Sequence, residues 1–206
     1  MLRREVAGAV IAGGASRRMG RPKGLLDLGD GPLVLRTFRL LAERCRKVVV
    51  CGEAGGVYAG LGLPVIPDRV PGCGPMSGLL TALHWSPCSR VAVLPCDMPD
   101  LTPAVLDALL AGGEDADVVV ARSPRGPEPL LAVYRRRCLP AVEAAVARGD
   151  YRMMRLLDGL AVDAVDMTAI LGDRAAAVLR NVNTPGDLPP APPGNGPDAG
   201  SPQDGS

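Results

Sequence analysis

Apolar runs alternate along this chain with segments in which apolar residues recur every three or four positions, and the two periods predict different elements. Residues 6–12 (VAGAVIA) are all small or β-branched and predict a buried strand. Residues 33–45 predict a helix, because Val34, Phe38, Leu41 and Cys45 share one face and Pro32 stands at its start. Short strands are predicted at 48–50 and at 64–66, the second ending on Pro67 and Asp68. The glycine-rich turn at 71–75 (PGCGP) opens a helix with Met76, Leu79, Leu80 and Leu83 on one face, and residues 90–94 form the next strand. Thr102 and Pro103 read as the cap and first turn of a helix carrying Val105, Leu106, Leu109 and Leu110. Farther on, strands at 117–121 and 130–134 bracket a loop at 122–129, helices follow at 139–148 and 152–158, and short strands at 161–165 and 177–179.

Strands and helices alternating at this spacing predict an α/β fold, doubly wound around a mostly parallel sheet. One domain is expected over residues 1–188, with no internal repeat. Residues 189–206 are mostly Pro, Gly, Asp and Ser with almost nothing to bury, so a disordered tail without a catalytic part is expected there.

Composition narrows the function classes. With 206 residues the chain is long enough to bury a core without staples, and a net charge of +1 leaves no electrostatic footprint for nucleic acid or an anionic membrane. No apolar run approaches the roughly 18 residues that span a bilayer, and the first residues lack a signal-peptide pattern, so a cytoplasmic protein is expected. The 6 cysteines include no C-x-x-C pair and read as free thiols in a reducing compartment. A zinc site from Cys73, Cys88 and the sole histidine, His84, matches no common ligand spacing; His84 reads as a helix-end residue beside Trp85.

Candidate chemistry gathers after the first strand. Gly13 and Gly14 are followed by Arg17, Arg18, Arg21 and Lys23, which brings amides free to approach an anion together with positive charge. The stretch is neither a Walker A loop nor a G-x-G-x-x-G fingerprint. Lys23 is one of only two lysines in a chain that otherwise uses arginine. A glycine-rich surface turn with a solvated basic run is the plain alternative. In an open α/β sheet ligands bind at the carboxyl ends of the strands, and that edge pools Gly13, Gly14, Cys51, Gly52, Asp68 and Asp97. The set suits a magnesium–nucleotide site: Asp97 for the cation, Arg18 and Lys23 for phosphate oxygens, and loop amides as a cradle. Taken singly, Asp97 between prolines, Asp68, Asn181 and Asn183 each read equally well as turn or cap residues.

The stretch AGGASRRMGRPKGLL resembles the signature loop of the molybdenum cofactor nucleotidyltransferases. The likeness extends over nearly the whole ordered chain, through GPMSGLLTAL, LPCDMP, EPLLAVYRR, GDYRMMRLL and NVNTPGDL, which are similar in order and spacing to segments of the guanylyltransferase branch. The resemblance implies transfer of GMP from GTP to molybdopterin carrying molybdenum, with magnesium as cofactor. It further implies that Ile11, Ala12, Gly13 and Gly14 meet the nucleotide, that Lys23 meets its phosphates, and that Asp68 meets the nucleotide. Asp97 would serve nucleotide and metal, and Asn183 would be a second metal contact. Cys51 departs from the pattern where relatives place an asparagine, and the Gly52 backbone is the expected substitute. The second glycine of AGG and the cysteine before Asp97 favour guanosine over cytidine in the same comparison. Other readings are a cytidylyltransferase, a sugar-phosphate nucleotidyltransferase, or a non-catalytic module that hands cofactor to a molybdoenzyme. Residues 135–137 and 149–152 are candidates for the anionic pterin, with solvated helix ends as the alternative.

Overall fold

Strands apolar at every position need cover on both faces, and the fold supplies it. The computed structural model describes residues 5–13, 22–52, 57–182 and 187. Its elements run β1 (Val6–Ile11), α1 (Leu33–Ala42), β2 (Val48–Gly52), β3 (Val65–Pro67), α2 (Pro75–Trp85), β4 (Arg90–Pro95), α3 (Pro103–Ala111), β5 (Val118–Ser123), β6 (Gly126–Arg135), α4 (Leu139–Ala147), α5 (Met153–Asp158), β7 (Val162–Asp166), α6 (Met167–Leu171) and α7 (Ala175–Val178). The strands form one sheet in the order β3-β2-β1-β4-β6-β5-β7. Every neighbouring pair is parallel except the two that involve β6, which runs against β4 and β5. The expected doubly wound, mostly parallel α/β architecture is therefore the one observed.

The two-residue period of each strand splits the core in two. Val6 and Val10 of β1, Val50 of β2, Leu94 of β4 and Leu131 and Val133 of β6 face α1, α3, α6 and α7. Their neighbours Ala9, Ile11, Val49, Val93, Ala132 and Tyr134 face α2, α4 and α5. Each fully buried aliphatic side chain contributes about 1.5–3 kcal/mol relative to exposure, so both layers are needed to hold so apolar a sheet. Among the described residues no helix is long and apolar enough to cross a membrane.

Three expectations change. Residues 122–129 are not a loop: β5 and β6 form a tight hairpin with Ser123 opposite Gly126, closed by Arg125 N–H donating to Ser123 Oγ at 3.1 Å. The prolines hid this strand. β4 pairs with β6 only from Ala132 to Arg135, so Pro127 and Pro129 stand where the strand has β5 alone beside it and a missing N–H costs little. The predicted strand at 177–179 is instead the end of α7, where three consecutive alanines favour helix and the apolar run was too short to distinguish the periods. Thr102 does occupy the N-cap of α3, but its hydroxyl makes no cap bond, so the helix start rests on Pro103 at its first turn.

Candidate active site

Register decides which residues can meet. Ile11 lies opposite Cys51 on one side and Pro95 on the other, and Gly52 lies opposite Pro67, so the chain leaves β1, β2, β3 and β4 at one level. After β1 it crosses to β2 by α1; after β3 it crosses by α2, on the opposite face, to β4 on the far side of β1. Strand order therefore reverses between β1 and β4, and their carboxyl ends frame the crevice expected at the switch point of the sheet.

The floor of that crevice is built very tightly. Ala12 N–H donates to the Cys51 carbonyl at 2.8 Å, Cys96 N–H to the Ile11 carbonyl at 3.2 Å, and Asp68 N–H to the Gly52 carbonyl at 3.1 Å. A methyl group built on Gly13 would stand 2.7 Å from Asp68 Oδ2, and one on Gly52 would stand 3.1 Å from the Ala12 carbonyl carbon. Close approach favours glycine at both places. Ile11, by contrast, turns its side chain into the α2 layer and meets the crevice only through backbone.

Two charges meet at that edge. Lys23 begins a short 3-10 turn (Lys23–Leu25) closed by Leu26 N–H on the Lys23 carbonyl, and its Nζ lies 3.4 Å from Asp97 Oδ2. Both side chains keep 24% of their surface exposed. An ion pair this open contributes about 1 kcal/mol or less to folding, so stability does not account for bringing together residues 74 positions apart. The pair is a poised cation and anion at the mouth of a crevice. Gly14 and Arg18 of the basic loop, and Asn183 after β7, lie outside the described residues.

The profile of the MobA-like NTP transferase domain family matches residues 8–168, most of the chain. The chain belongs to that family. It is 33% identical over 186 residues to a protein of Pelotomaculum thermopropionicum named a probable molybdenum cofactor guanylyltransferase, covering 89% of this chain and 90% of the relative. It is 35% identical over 198 residues to a protein of the same name from Mycobacterium marinum, covering 92% and 95%. Among solved structures it resembles the molybdopterin-guanine dinucleotide biosynthesis protein A of Archaeoglobus fulgidus, with a TM-score of 0.75, 27% identity and coverage of 88% of this chain and 94% of that one.

Within this MobA-like domain the oxygen donors suit magnesium, which takes hard oxygens and keeps several waters and substrate phosphates around it. Asp97 offers a carboxylate, and Asn181 Oδ1 is a buried oxygen without a hydrogen-bond partner among the described residues. Asn181 precedes Val182, whose N–H donates to the Asp97 carbonyl at 2.8 Å. Among the described residues no group of three or more His, Cys, Asp or Glu could cage a metal, and the zinc alternative finds no cluster; His84 Nε2 instead lies 2.9 Å from Glu143.

Some sequence candidates are placed elsewhere. Cys51 is fully buried on the α2 side with Cys73 and Met76, and burial, reinforced by the charge of Asp68, pushes its thiol up to about 12. Its side chain does not line the crevice. The Arg run at 135–137 is at the opposite edge: Arg135 pairs in register with Arg90 at the start of β4. Arg135 Nε donates to the Ala116 carbonyl at 2.9 Å and its Nη2 to that of Glu114, while Arg137 bonds Asp117 and the Asp115 carbonyl at 2.6 Å each. Arg135 and Arg137 fasten the loop between α3 and β5 at the edge away from the crevice, and Arg137 keeps 54% of its side chain exposed, as the solvated alternative expects. The 149–152 segment keeps its candidacy, since Cys73, in the turn that opens α2, is near enough to Tyr151 to push its hydroxyl up. There Asp150 is held down to about 2, chiefly by Arg152 and then Arg155.

Tyr58 went unnoticed in the sequence. Its hydroxyl donates to the Ala12 carbonyl at 3.3 Å, and a methyl group on Gly24 would stand 2.7 Å from that same oxygen. One ring thus touches the chain on both sides of the basic loop. No spacing signal marks a lone tyrosine between two glycine-rich stretches.

Proposed function

We propose that this chain transfers GMP from GTP to the terminal phosphate of molybdopterin carrying molybdenum. A phosphate oxygen of the pterin forms a bond to the α-phosphorus, the bond from that phosphorus to the bridging β-oxygen breaks, and pyrophosphate leaves with its electron pair. The observation that carries the reading is the Lys23–Asp97 pair across the switch-point crevice, in a chain about one-third identical over nearly its whole length to proteins named for this reaction.

The residues divide the work as follows. The amides around Ala12, Gly13 and Gly14 cradle the nucleotide, while Asp68 fixes its position beside Gly13. Lys23 and Arg18 draw the phosphates into line and offset the charge gathering on the departing pyrophosphate; the main barrier is bringing two anions together. Asp97, aided by Asn181 or Asn183, holds magnesium, which when bound supplies further neutralisation of phosphate charge. Arg152 and Arg155 meet the acceptor phosphate by exchanging Asp150 for it. The catalytic unit is assigned to residues 1–188 and its setting to the cytoplasm, where a molybdoenzyme receives the product.

The test is pyrophosphate release by the purified protein with magnesium and molybdopterin, offering GTP, CTP, ATP and UTP in parallel. Release from GTP alone, dependent on molybdopterin, is the expected result. Release from CTP instead would overturn the base assignment, and no release from any nucleotide despite GTP binding would overturn the enzymatic reading.

A further inference from the structure

Beyond α7 the chain does not simply trail away. Residues 179–182 cross the carboxyl edge of the sheet and are tied to it at successive positions. Arg125, at the tip of the β5–β6 hairpin, donates to the Leu179 carbonyl at 3.1 Å and is itself steadied by Glu128 at 3.1 Å. Arg180 Nε donates to Asp100 Oδ2 at 2.5 Å, and its Nη1 to the Asp187 carbonyl at 2.9 Å. Val182 N–H donates to the carbonyl of Asp97 at 2.8 Å.

The side chain of Val182 reaches the other half of the pair. It is fully buried in a small separate cluster with Leu26 and Leu33. Leu26 is the residue whose N–H closes the turn carrying Lys23, and its carbonyl accepts from Leu33 N–H at 2.9 Å. A single residue therefore holds the Asp97 turn by its backbone and the Lys23 turn by its side chain. Three positions beyond Asp97, on the same loop, Asp100 receives the ion pair that fixes the strap.

We propose that residues 179–182 are a positioning clamp for the Lys23–Asp97 pair, with Arg180–Asp100 as its lock; the catalytic consequence rests on the function proposed above. The alternative is a strap that only adds stability, and magnitude separates the two. Both side chains of the Arg180–Asp100 pair are more than a third exposed, so its loss should lower the melting temperature by no more than about 4 °C. Displacing catalytic charges by about 1 Å costs about 100-fold in rate. A clamp thus predicts a loss of kcat far out of proportion to the loss of stability.

The experiment compares wild type, Arg180→Ala, Arg180→Lys, and the charge-exchanged double variant Arg180→Asp with Asp100→Arg. Four quantities are measured: kcat and KM for GTP with molybdopterin, the magnesium concentration giving half-maximal rate, and amide hydrogen exchange at Val182 and in the turns holding Lys23 and Asp97. For Arg180→Ala the clamp predicts kcat down about 10- to 100-fold, KM for GTP within about threefold, a higher magnesium requirement, and faster exchange at Val182 and in both turns. Partial rescue by Arg180→Lys or by the exchanged pair is expected. A kcat within twofold of wild type, or exchange unchanged at Val182, overturns the clamp. Should wild type itself release no pyrophosphate, the proposed function fails, and exchange in the two turns still decides whether the strap holds them.

Discussion

Under the proposed function, Gly13 sets how deeply a nucleotide enters. The carboxylate of Asp68 occupies the place its side chain would take, with 2.7 Å to an added methyl group, closer than real contacts of that kind come. Alanine here must push Asp68 aside, because the Gly52 backbone lies 3.5 Å away on the other side. Gly13→Ala is expected to leave the melting temperature within about 4 °C, since the atom in the way is the end of a side chain rather than backbone, and to raise KM for GTP about tenfold or more. Steady-state kinetics beside a thermal melt check this; an unchanged KM would remove Gly13 and Asp68 from the nucleotide contact. Lys23→Ala probes the opposite wall. Loss of one charge-assisted phosphate contact is worth about 1.5–3 kcal/mol, or roughly 10- to 150-fold in kcat/KM, with no comparable loss of stability from so open an ion pair. Equal kcat/KM in wild type and variant would exclude Lys23 from the site.

At the scale of elements, much of the arrangement was legible because β1 and β2 are apolar throughout, β4 is apolar after Arg90, and helix faces repeat between them; such runs have one good solution, a covered parallel sheet. The positions of Gly13, Asp68 and Asp97 followed, since each stands just past a strand whose end the sequence marks, whereas Lys23 begins a short turn of its own. What was not legible depends on β6. Its insertion antiparallel between β4 and β5 carries Arg135 to the edge away from Asp97, and nothing in the Arg run itself reports strand direction. Val182 was equally hidden, since a valine between two asparagines shows neither its N–H bond to Asp97 nor its packing on Leu26. The placement of Arg135 has a measurable consequence. It donates to the carbonyls of Ala116 and Glu114, so Arg135→Ala is expected to cost about 1–3 kcal/mol of stability and to leave KM for GTP unchanged. Denaturant unfolding with a parallel KM determination tests it, and a raised KM with normal stability would return this arginine to substrate binding.

The whole molecule couples its charge states to the same two-layer core. Cys45, Cys51, Cys73, Cys88, Cys96 and Cys138 are all free and buried. Burial is the leading cause that pushes Cys45, Cys51 and Cys96 up to about 12 and Cys138 up to about 11, from an ordinary value of 9.0. Since the folded chain favours the neutral thiol, the stability these groups contribute is complete below pH 9.0 and drains away as pH rises toward 12. Carboxylates act with the opposite sign. Asp150 is held down to about 2 by Arg152 and Arg155, and Asp27, Asp117 and Asp166 are lowered first by backbone N–H donors. Their contribution is present above the ordinary 3.8 and is lost as pH falls through the lowered values. Melting temperature is therefore expected to be flat from about pH 5 to 8.5 and to fall on both sides. A thiol-specific reagent at pH 8 checks the alkaline half independently: the native protein should react at none of its 6 cysteines and the unfolded chain at all of them. Rapid reaction of Cys51 or Cys96 in the native state would mean that the crevice floor opens, and that the backbone contacts from Ala12 to Cys51 and from Cys96 to Ile11 do not hold it closed.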